Sequence, residues 1–251
     1  MQPPPPVFED APVLCGHRGS GRGTVGGQAE NTLGSFRAAA SAGAPWVEVD
    51  VRATADGTLV ASHDPATPDG SSIAMMSAAE ADDLGLMRIA DLLEDLPQHV
   101  GVNLEIKTAL EDAERARERT TAALTADLAI KHATGRKILA TSFDPSAPLI
   151  VRERAPQIPV GLLTWIRFPL RKSIPAAKHL GLDVVAPHVQ SFRLEETPDH
   201  ELARRMELAH AVGLQVVAWC PLREERDRLA RAGVDCLIVD DLPAALANWR
   251  R

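Results

Sequence analysis

Eight times along a 251-residue chain, a short β-branched run is followed by a helix-length stretch, and that alternation narrows the fold more than any other feature. The runs are "PVLCGH" (12–17), "WVEVDV" (46–51), "GVNLEIK" (101–107), "KILATSF" (137–143), "IPVGLLT" (158–164), "DVVAPH" (183–188), "LQVVAWC" (214–220) and "VDCLIVD" (234–240). Helices are predicted over 30–43, 77–96, 111–133, 145–155, 173–180, 199–212, 222–232 and 243–250. "TLVASH" (58–63), joined to the second run through the Asp56-Gly57 turn, reads as a short accessory hairpin strand. Strands alternating with helices imply a parallel sheet, and eight such units in about 250 residues are the complement of an α/β (β/α)8 TIM barrel. A doubly wound open sheet is the competitor, but the first loop is not a G-x-G-x-x-G turn opening directly into a helix. Residues 12–251 contain no linker rich in Pro, Gly and Ser and read as a single domain; "MQPPPPVFED" marks 1–11 as a mobile Pro-rich tail.

A barrel places its working side chains at the C-terminal ends of its strands. The first run ends in His17-Arg18. In the second, Glu48 and Asp50 share parity and hence a face, while Val47, Val49 and Val51 take the other. His63 closes the hairpin, and Glu105 and Lys107 share a face of the third run. Like charges on a half-buried strand are costly unless something positive lies between them. Glu48, Asp50 and Glu105 form an all-oxygen set suited to one hard divalent cation, Mg2+ or Ca2+, rather than to zinc. The competing reading pairs each acid with Arg18 or Lys107 in a salt-bridge network. His17 and His63 suit proton transfer near neutral pH. Arg18 offers a planar fork and Lys107 a point charge for an anion. Together these groups describe phosphodiester cleavage.

Charge and cysteine usage bound the partners. A net charge of −7 argues against nucleic acid held on a broad basic surface. Cys15, Cys220 and Cys236 are odd in number and far apart, so each reads as a small buried thiol in a reducing compartment. The N-terminus lacks a basic-then-apolar leader and no window approaches a membrane span; a cytoplasmic protein with no integral membrane segment is expected, its oligomeric state open. "LLTWIRFPLR" (162–171) reads as a helix packed on the barrel, with an apolar rim for lipid substrates as the alternative. The Gly-rich stretch 19–27 lacks a P-loop ending and reads as a flexible lid.

"HRGSGRGTVGGQAENTLGSFRAAASAGAPWVEVDVRATADGTLVASHD", with "VNLEIK" further on and weaker echoes in "GLQVVAW" and "AGVDCLIVDD", resembles the glycerophosphodiester phosphodiesterase family. Its pattern runs H-R-G, E-N-T, E-x-D-V, T-x-D-G, H-D and then E-x-K. The resemblance implies a barrel hydrolase that releases an alcohol and glycerol phosphate with a divalent cation, a reaction of lipid metabolism. It implies Glu48, Asp50 and Glu105 as metal ligands and His17 and His63 as the acid/base pair. Arg18 and Lys107 would hold the phosphate. Trp219, at the end of the seventh run, reads as a substrate-binding residue stacked on the glycerol, with a place in the core as the alternative. The chain departs from the pattern where R-T-x-x-G is absent after His63-Asp64, where Ala29 stands for Pro, and where "CPL" follows Trp219 in place of T-V-N. None of these removes a proposed ligand or histidine; they bear on which alcohol is released. Action on lysophospholipids or phosphoinositides, and a barrel that binds phosphodiesters without catalysis, are the alternatives.

Overall fold

In the computed structural model, which describes residues 6–249, the eight principal runs close into one barrel. Strand β1 (Val13–Gly16) leads to a small antiparallel hairpin, β2 (Thr24–Val25) and β3 (Gln28–Ala29), and then to helix α1 (Leu33–Ser41). Strand β4 (Trp46–Ala53) is flanked by the short antiparallel β5 (Leu59–Ala61), followed by helices α2 (Ala78–Asp83) and α3 (Ile89–Asp95). The rest alternates: β6 (Gly101–Ile106), α4 (Thr121–His132), β7 (Ile138–Ser142), α5 (Ser146–Arg154), β8 (Val160–Thr164) and α6 (Leu170–His179). It ends with β9 (Val184–Pro187), α7 (Asp199–Ala211), β10 (Gln215–Trp219), α8 (Arg223–Arg231), β11 (Cys236–Val239) and α9 (Leu242–Ala247). Parallel pairing runs β1-β11-β10-β9-β8-β7-β6-β4, and a β4–β1 pairing shuts the ring.

Two predicted helices are corrected. The stretch 77–96 is two helices: α2 opens with a capping box between Ser77 and Glu80 and ends before Gly85, whose φ of 73° is left-handed. The long helix expected over 111–133 is helical only from Thr121, where the Thr120 hydroxyl caps it by accepting from the Ala123 N–H. Upstream, 3-10 turns at Leu110–Ala113 and Arg117–Arg119 occupy the segment. Periodicity could not separate these turns from a helix, because both place side chains three residues apart on one face.

Strand parity builds the core in two shells. Val47, Val49 and Val51 of β4 point outward and pack with Leu104 and Ile106 of β6 and the helix layer. Inside the ring, Val13, Cys15, Trp46, Leu139, Val184, Val217 and Cys236 fill the lower barrel. Trp46 lies across Gly101, where a Cβ would come within 2.4 Å of the indole, so that strand position admits only glycine. Phe8 plugs the bottom. It is 3% exposed, meets Trp46 edge-on at 5.0 Å between ring centres, and its N–H donates to Gln215 Oε1 at 2.9 Å. The mobile tail expected over 1–11 is therefore corrected at Val7 and Phe8, which belong to the inner core; residues 1–5 lie outside the described ones. Phe8→Ala is expected to cost about 3–5 kcal/mol, the usual loss for a buried phenyl, read as a shift of the urea midpoint.

Candidate active site

With the lower barrel filled by apolar groups, the polar inward positions fall at the top. There a cleft of about 640 Å³ is lined by His17, Arg18, Glu48, His63, Glu105, Lys107 and Trp219, among others. A larger hollow beside α8 and the C-terminus is lined by Asp10, Arg223 and Trp249 and holds none of the chemistry read from the sequence.

Register brings the acids together. In the parallel β4–β6 pair, Asp50 stands opposite Glu105 and Glu48 opposite Asn103. One carboxylate oxygen each from Glu48, Asp50 and Glu105 lie within 4.8 Å of one another, and the residues are 0%, 0% and 6% exposed. Both readings of these acids are realised in part. Lys107 Nζ pairs with Glu105 and sits 2.9 Å from Asp50 Oδ1, and Arg18 Nε is 3.1 Å from Asp50 Oδ2. Arg18 is shared further with Glu30, at 2.6 Å. Three carboxylates, Asp50, Glu105 and Glu30, thus share two cations, leaving one formal negative charge before Glu48 is counted. Glu48 has no such cation: its Oε2 accepts from the Arg18 backbone N–H at 2.9 Å, while its Oε1 is buried with no hydrogen-bond partner among the described residues.

The electrostatics follow. Burial, then the neighbouring Asp50 and Glu105 charges, hold the Glu48 carboxyl well above the usual range. Burial also raises Glu105, with Lys107 pulling the other way. At Asp50 burial is outweighed by Lys107 and Arg18, and its pKa is lowered. An all-oxygen set with an orphaned buried carboxylate oxygen and surplus negative charge fits a hard divalent cation.

The turn after β1 makes this geometry. Arg18 (φ 53°) and Gly19 (φ 102°) are both left-handed, and a Cβ on Gly19 would meet Ser35 Oγ at 2.5 Å, which is why H-R-G ends in glycine. The turn aims the Arg18 N–H at Glu48 and sets His17 beside it. His17 Nε2 lies 3.9 Å from Glu48 Oε2, and its Nδ1 lies 2.5 Å from Asp240 Oδ1. A carboxylate only accepts, so that bond places the proton on Nδ1 and leaves Nε2 facing the acids. His63, on the loop after β5, is more open, its side chain 45% exposed, with Nδ1 2.8 Å from Asp64 Oδ1. Trp219 stands in the cleft wall between His188 (4.3 Å) and Phe143 (5.7 Å), half-buried, its Nε1 without a partner among the described residues.

Several residues entered the site unassigned by sequence reasoning. Asn31 Nδ2 donates to Asp50 Oδ2 at 2.9 Å and Glu30 anchors Arg18, so the E-N-T motif is a clamp on the acids and the guanidinium. Asp240 fixes His17 from the end of the last strand. Arg52, two residues beyond Asp50 and on the same parity, donates to the carbonyls of Ser62 (3.2 Å) and His63 (2.6 Å) and so ties down the loop that carries His63. Three expectations are corrected. The 19–27 stretch is no free lid: it carries β2 and the turn into β3, and is pinned where the Glu30 N–H donates to Gly23 O at 2.7 Å and the Arg22 N–H to Asp240 O at 3.1 Å. Trp165 and Ile166 are not part of a packed helix: they lie in the loop between β8 and α6, 67% and 56% exposed, with Trp165 stacked on Phe143 at 4.4 Å. Cys220, expected to be buried, is half-buried in the cleft wall, because the strand ends there with φ 57° and turns its Sγ toward His17 and Asp240.

The family model described as "Glycerophosphoryl diester phosphodiesterase family" matches residues 17–244. The chain belongs to that family. It is a phosphoric diester hydrolase. A glycerophosphodiester phosphodiesterase from Caldanaerobacter subterraneus subsp. tengcongensis is 26% identical over 259 residues, covering 95% of this chain and 98% of the relative. Among solved structures, an Oleispira antarctica phosphodiesterase in complex with the product sn-glycerol-3-phosphate superposes with a TM-score of 0.77 at 23% identity, covering 96% and 98% of the two chains. A glycerophosphodiester phosphodiesterase from Thermotoga maritima gives 0.74 at 22% identity, covering 94% and 97%. At these identities the structures share the TIM-barrel fold with this family member. Among the described residues no helix is long and apolar enough to cross a membrane.

Proposed function

We propose that this chain hydrolyses glycerophosphodiesters to glycerol phosphate and an alcohol, with one divalent cation, Mg2+ or Ca2+, held by Glu48, Asp50 and Glu105. The observation that carries the reading is the convergence of three buried carboxylates, one of them paired with no Lys or Arg side chain and with an oxygen lacking a hydrogen-bond partner among the described residues, on the floor of a cleft walled by His17, His63 and Lys107. When bound, the cation supplies Lewis-acid charge for the phosphoryl oxygens. The remaining work falls to side chains. Arg18 is committed to Glu30 and Asp50, so its part in holding phosphate is shared with keeping Asp50 ionised and in place. Lys107, its side chain 13% exposed at the cleft floor, offers its ammonium to a bound phosphate while still paired with Glu105 and Asp50. His17 and His63 each have Nδ1 bound to a carboxylate and exchange protons through Nε2, one accepting from the attacking hydroxyl and the other donating to the leaving alcohol. Trp219 offers its face to the glycerol carbons.

A second reading has the substrate carrying an acyl chain on its glycerol, as in a lysophospholipid, so that an acylated glycerol phosphate is left when the alcohol departs. The exposed pair Trp165 and Ile166 at the cleft mouth favours it, since open apolar rims at an active site otherwise cost solvation. One experiment tests both: release from glycerophosphocholine, glycerophosphoethanolamine, glycerophosphoinositol and a lysophosphatidylcholine, each with EDTA and with Mg2+ or Ca2+ restored. Cation-restored release from the glycerophosphodiesters supports the first reading. A preference for the lysolipid that disappears in Trp165→Ala would establish the second. Turnover that persists in EDTA would sink the metal assignment.

A further inference from the structure

The His17 ring has two working edges, and only one faces the acids. On the other, His17 Nδ1, Cys220 Sγ and Asp240 Oδ1 form a separate donor set of nitrogen, sulfur and oxygen. The sulfur lies 3.7 Å from Nδ1 and 3.5 Å from Oδ1, and Nδ1 and Oδ1 are 2.5 Å apart. We propose that these three groups form a second metal site, for a borderline-soft divalent ion of the Zn2+ type, whose occupation withdraws His17 from proton transfer and inhibits the enzyme.

The distances argue for it. Zn–S bonds of about 2.3 Å and Zn–N and Zn–O bonds of about 2.0–2.2 Å at tetrahedral angles put the ligand atoms about 3.4–3.6 Å apart. Both edges that include sulfur already lie near that span. The third, between Nδ1 and Oδ1, must open by about 0.9 Å on the same geometry. That is a rotation of the Asp240 carboxylate, which is 40% exposed and can move. The ion takes the Nδ1 lone pair in place of the proton held there; that proton passes to Nε2, giving the neutral tautomer, and the thiol proton passes to solvent. Cys220 and His17 both line the cleft, so water can enter the fourth position.

Backbone geometry fixes the sulfur where the site needs it. Cys220 has the left-handed φ of 57°, and its N–H donates to Ile238 O at 2.9 Å, which locks the end of β10 against β11. The two sites differ in chemistry as well as position: three carboxylates select a hard cation, whereas thiol plus imidazole selects a softer one. A ring whose Nδ1 is metal-bound keeps its Nε2 beside the acids, but with the ring proton on it and no lone pair left to accept another. The binding half of the proposal stands independently of the proposed reaction; the inhibitory half rests on His17 acting in it.

The test uses the full chain with Mg2+ present and Co2+ as the spectroscopic probe. One equivalent of Co2+ is expected to produce the near-ultraviolet thiolate-to-cobalt charge-transfer band, and Zn2+ to abolish it. Cys15 and Cys236 are each 1% exposed inside the lower barrel, so the band reports Cys220. Cys220→Ser and Cys220→Gly should both lack it; the glycine also relieves the left-handed backbone, so at least one variant folds. In the activity arm, Zn2+ inhibits the wild type, and either variant raises the inhibitory concentration roughly tenfold or more, since loss of a direct ligand costs at least as much as loss of an outer-shell partner. A band that survives in both variants, or no band at all, overturns the site even if the enzyme proves inactive on every diester tried. A normal band with Zn2+-insensitive turnover overturns the inhibitory half alone.

Discussion

Glu48→Gln is expected to lower turnover by about 10³-fold, the scale on which removing one charge-stabilising group acts, while leaving the EDTA-treated protein at least as thermostable as the wild type. The two halves have one cause. Glu48 sits at 0% exposure beside Asp50 and Glu105 with no Lys or Arg paired to it, so its charge is unfavourable unless a cation occupies the proposed site. A glutamine keeps an oxygen for the Arg18 N–H, now 2.9 Å from Oε2, and removes the repulsion. Calorimetric titration of Mg2+ or Ca2+ would show weakened binding, and scanning fluorimetry in EDTA an unchanged or higher Tm. A variant that retains wild-type turnover would remove Glu48 from the metal site.

The same carboxyl sets a pH dependence. Its folded pKa is raised by burial and by Asp50 and Glu105, so the unfolded chain gives up this proton first. The associated stability is complete below the ordinary carboxylate range and is lost as pH rises through the elevated folded value. Glu105 shifts in the same direction. Asp50, lowered by Lys107 and Arg18 against its burial, contributes in the opposite sense, and its stability is lost as pH falls through its folded pKa. The gain in Tm on adding a divalent cation should therefore be larger in mildly alkaline than in mildly acidic buffer. Equal gains at both would show that the acids are not the ligands.

His17→Ala and His63→Ala should each lower turnover by about 10²-fold or more, as expected for general acid/base catalysis. Asp240→Asn should act through His17: its amide can donate to Nδ1, which favours the tautomer protonated on Nε2. Turnover would fall less than in His17→Ala, and the acidic limb of the pH–rate profile would move, a readout that mere loosening of the fold would leave in place. Near-normal turnover in His63→Ala would assign proton transfer to His17 alone, a result made plausible to test by the openness of His63, whose side chain is 45% exposed.

Much of the site was legible because barrels impose parity. Alternation along "WVEVDV" separates the valines from Glu48 and Asp50, and the same period in "LEIK" assigns Glu105 and Lys107 to one face. What periodicity could not give was everything set by turns. The break in 77–96 at Gly85, the 3-10 turns before Thr121 and the exposure of Trp165 depend on hydrogen bonds between residues whose spacing also suits a helix. Asp240 and Arg52 were likewise visible as polar residues at or beyond strand ends, but their partners lie on other elements: 223 residues separate Asp240 from His17.

Local periodicity and residue identity are enough to specify the eightfold alternation, the faces of the strands and the chemical types at their upper ends. It took the folded barrel to set Asp50 opposite Glu105, to share two cations among Asp50, Glu105 and Glu30 while leaving Glu48 without one, and to bring Cys220 to His17 and Asp240. Ring closure decides them: register between strands and the left-handed residues that end β1 and β10 are fixed when β1 pairs with both β4 and β11, and no local stretch of the chain contains that information.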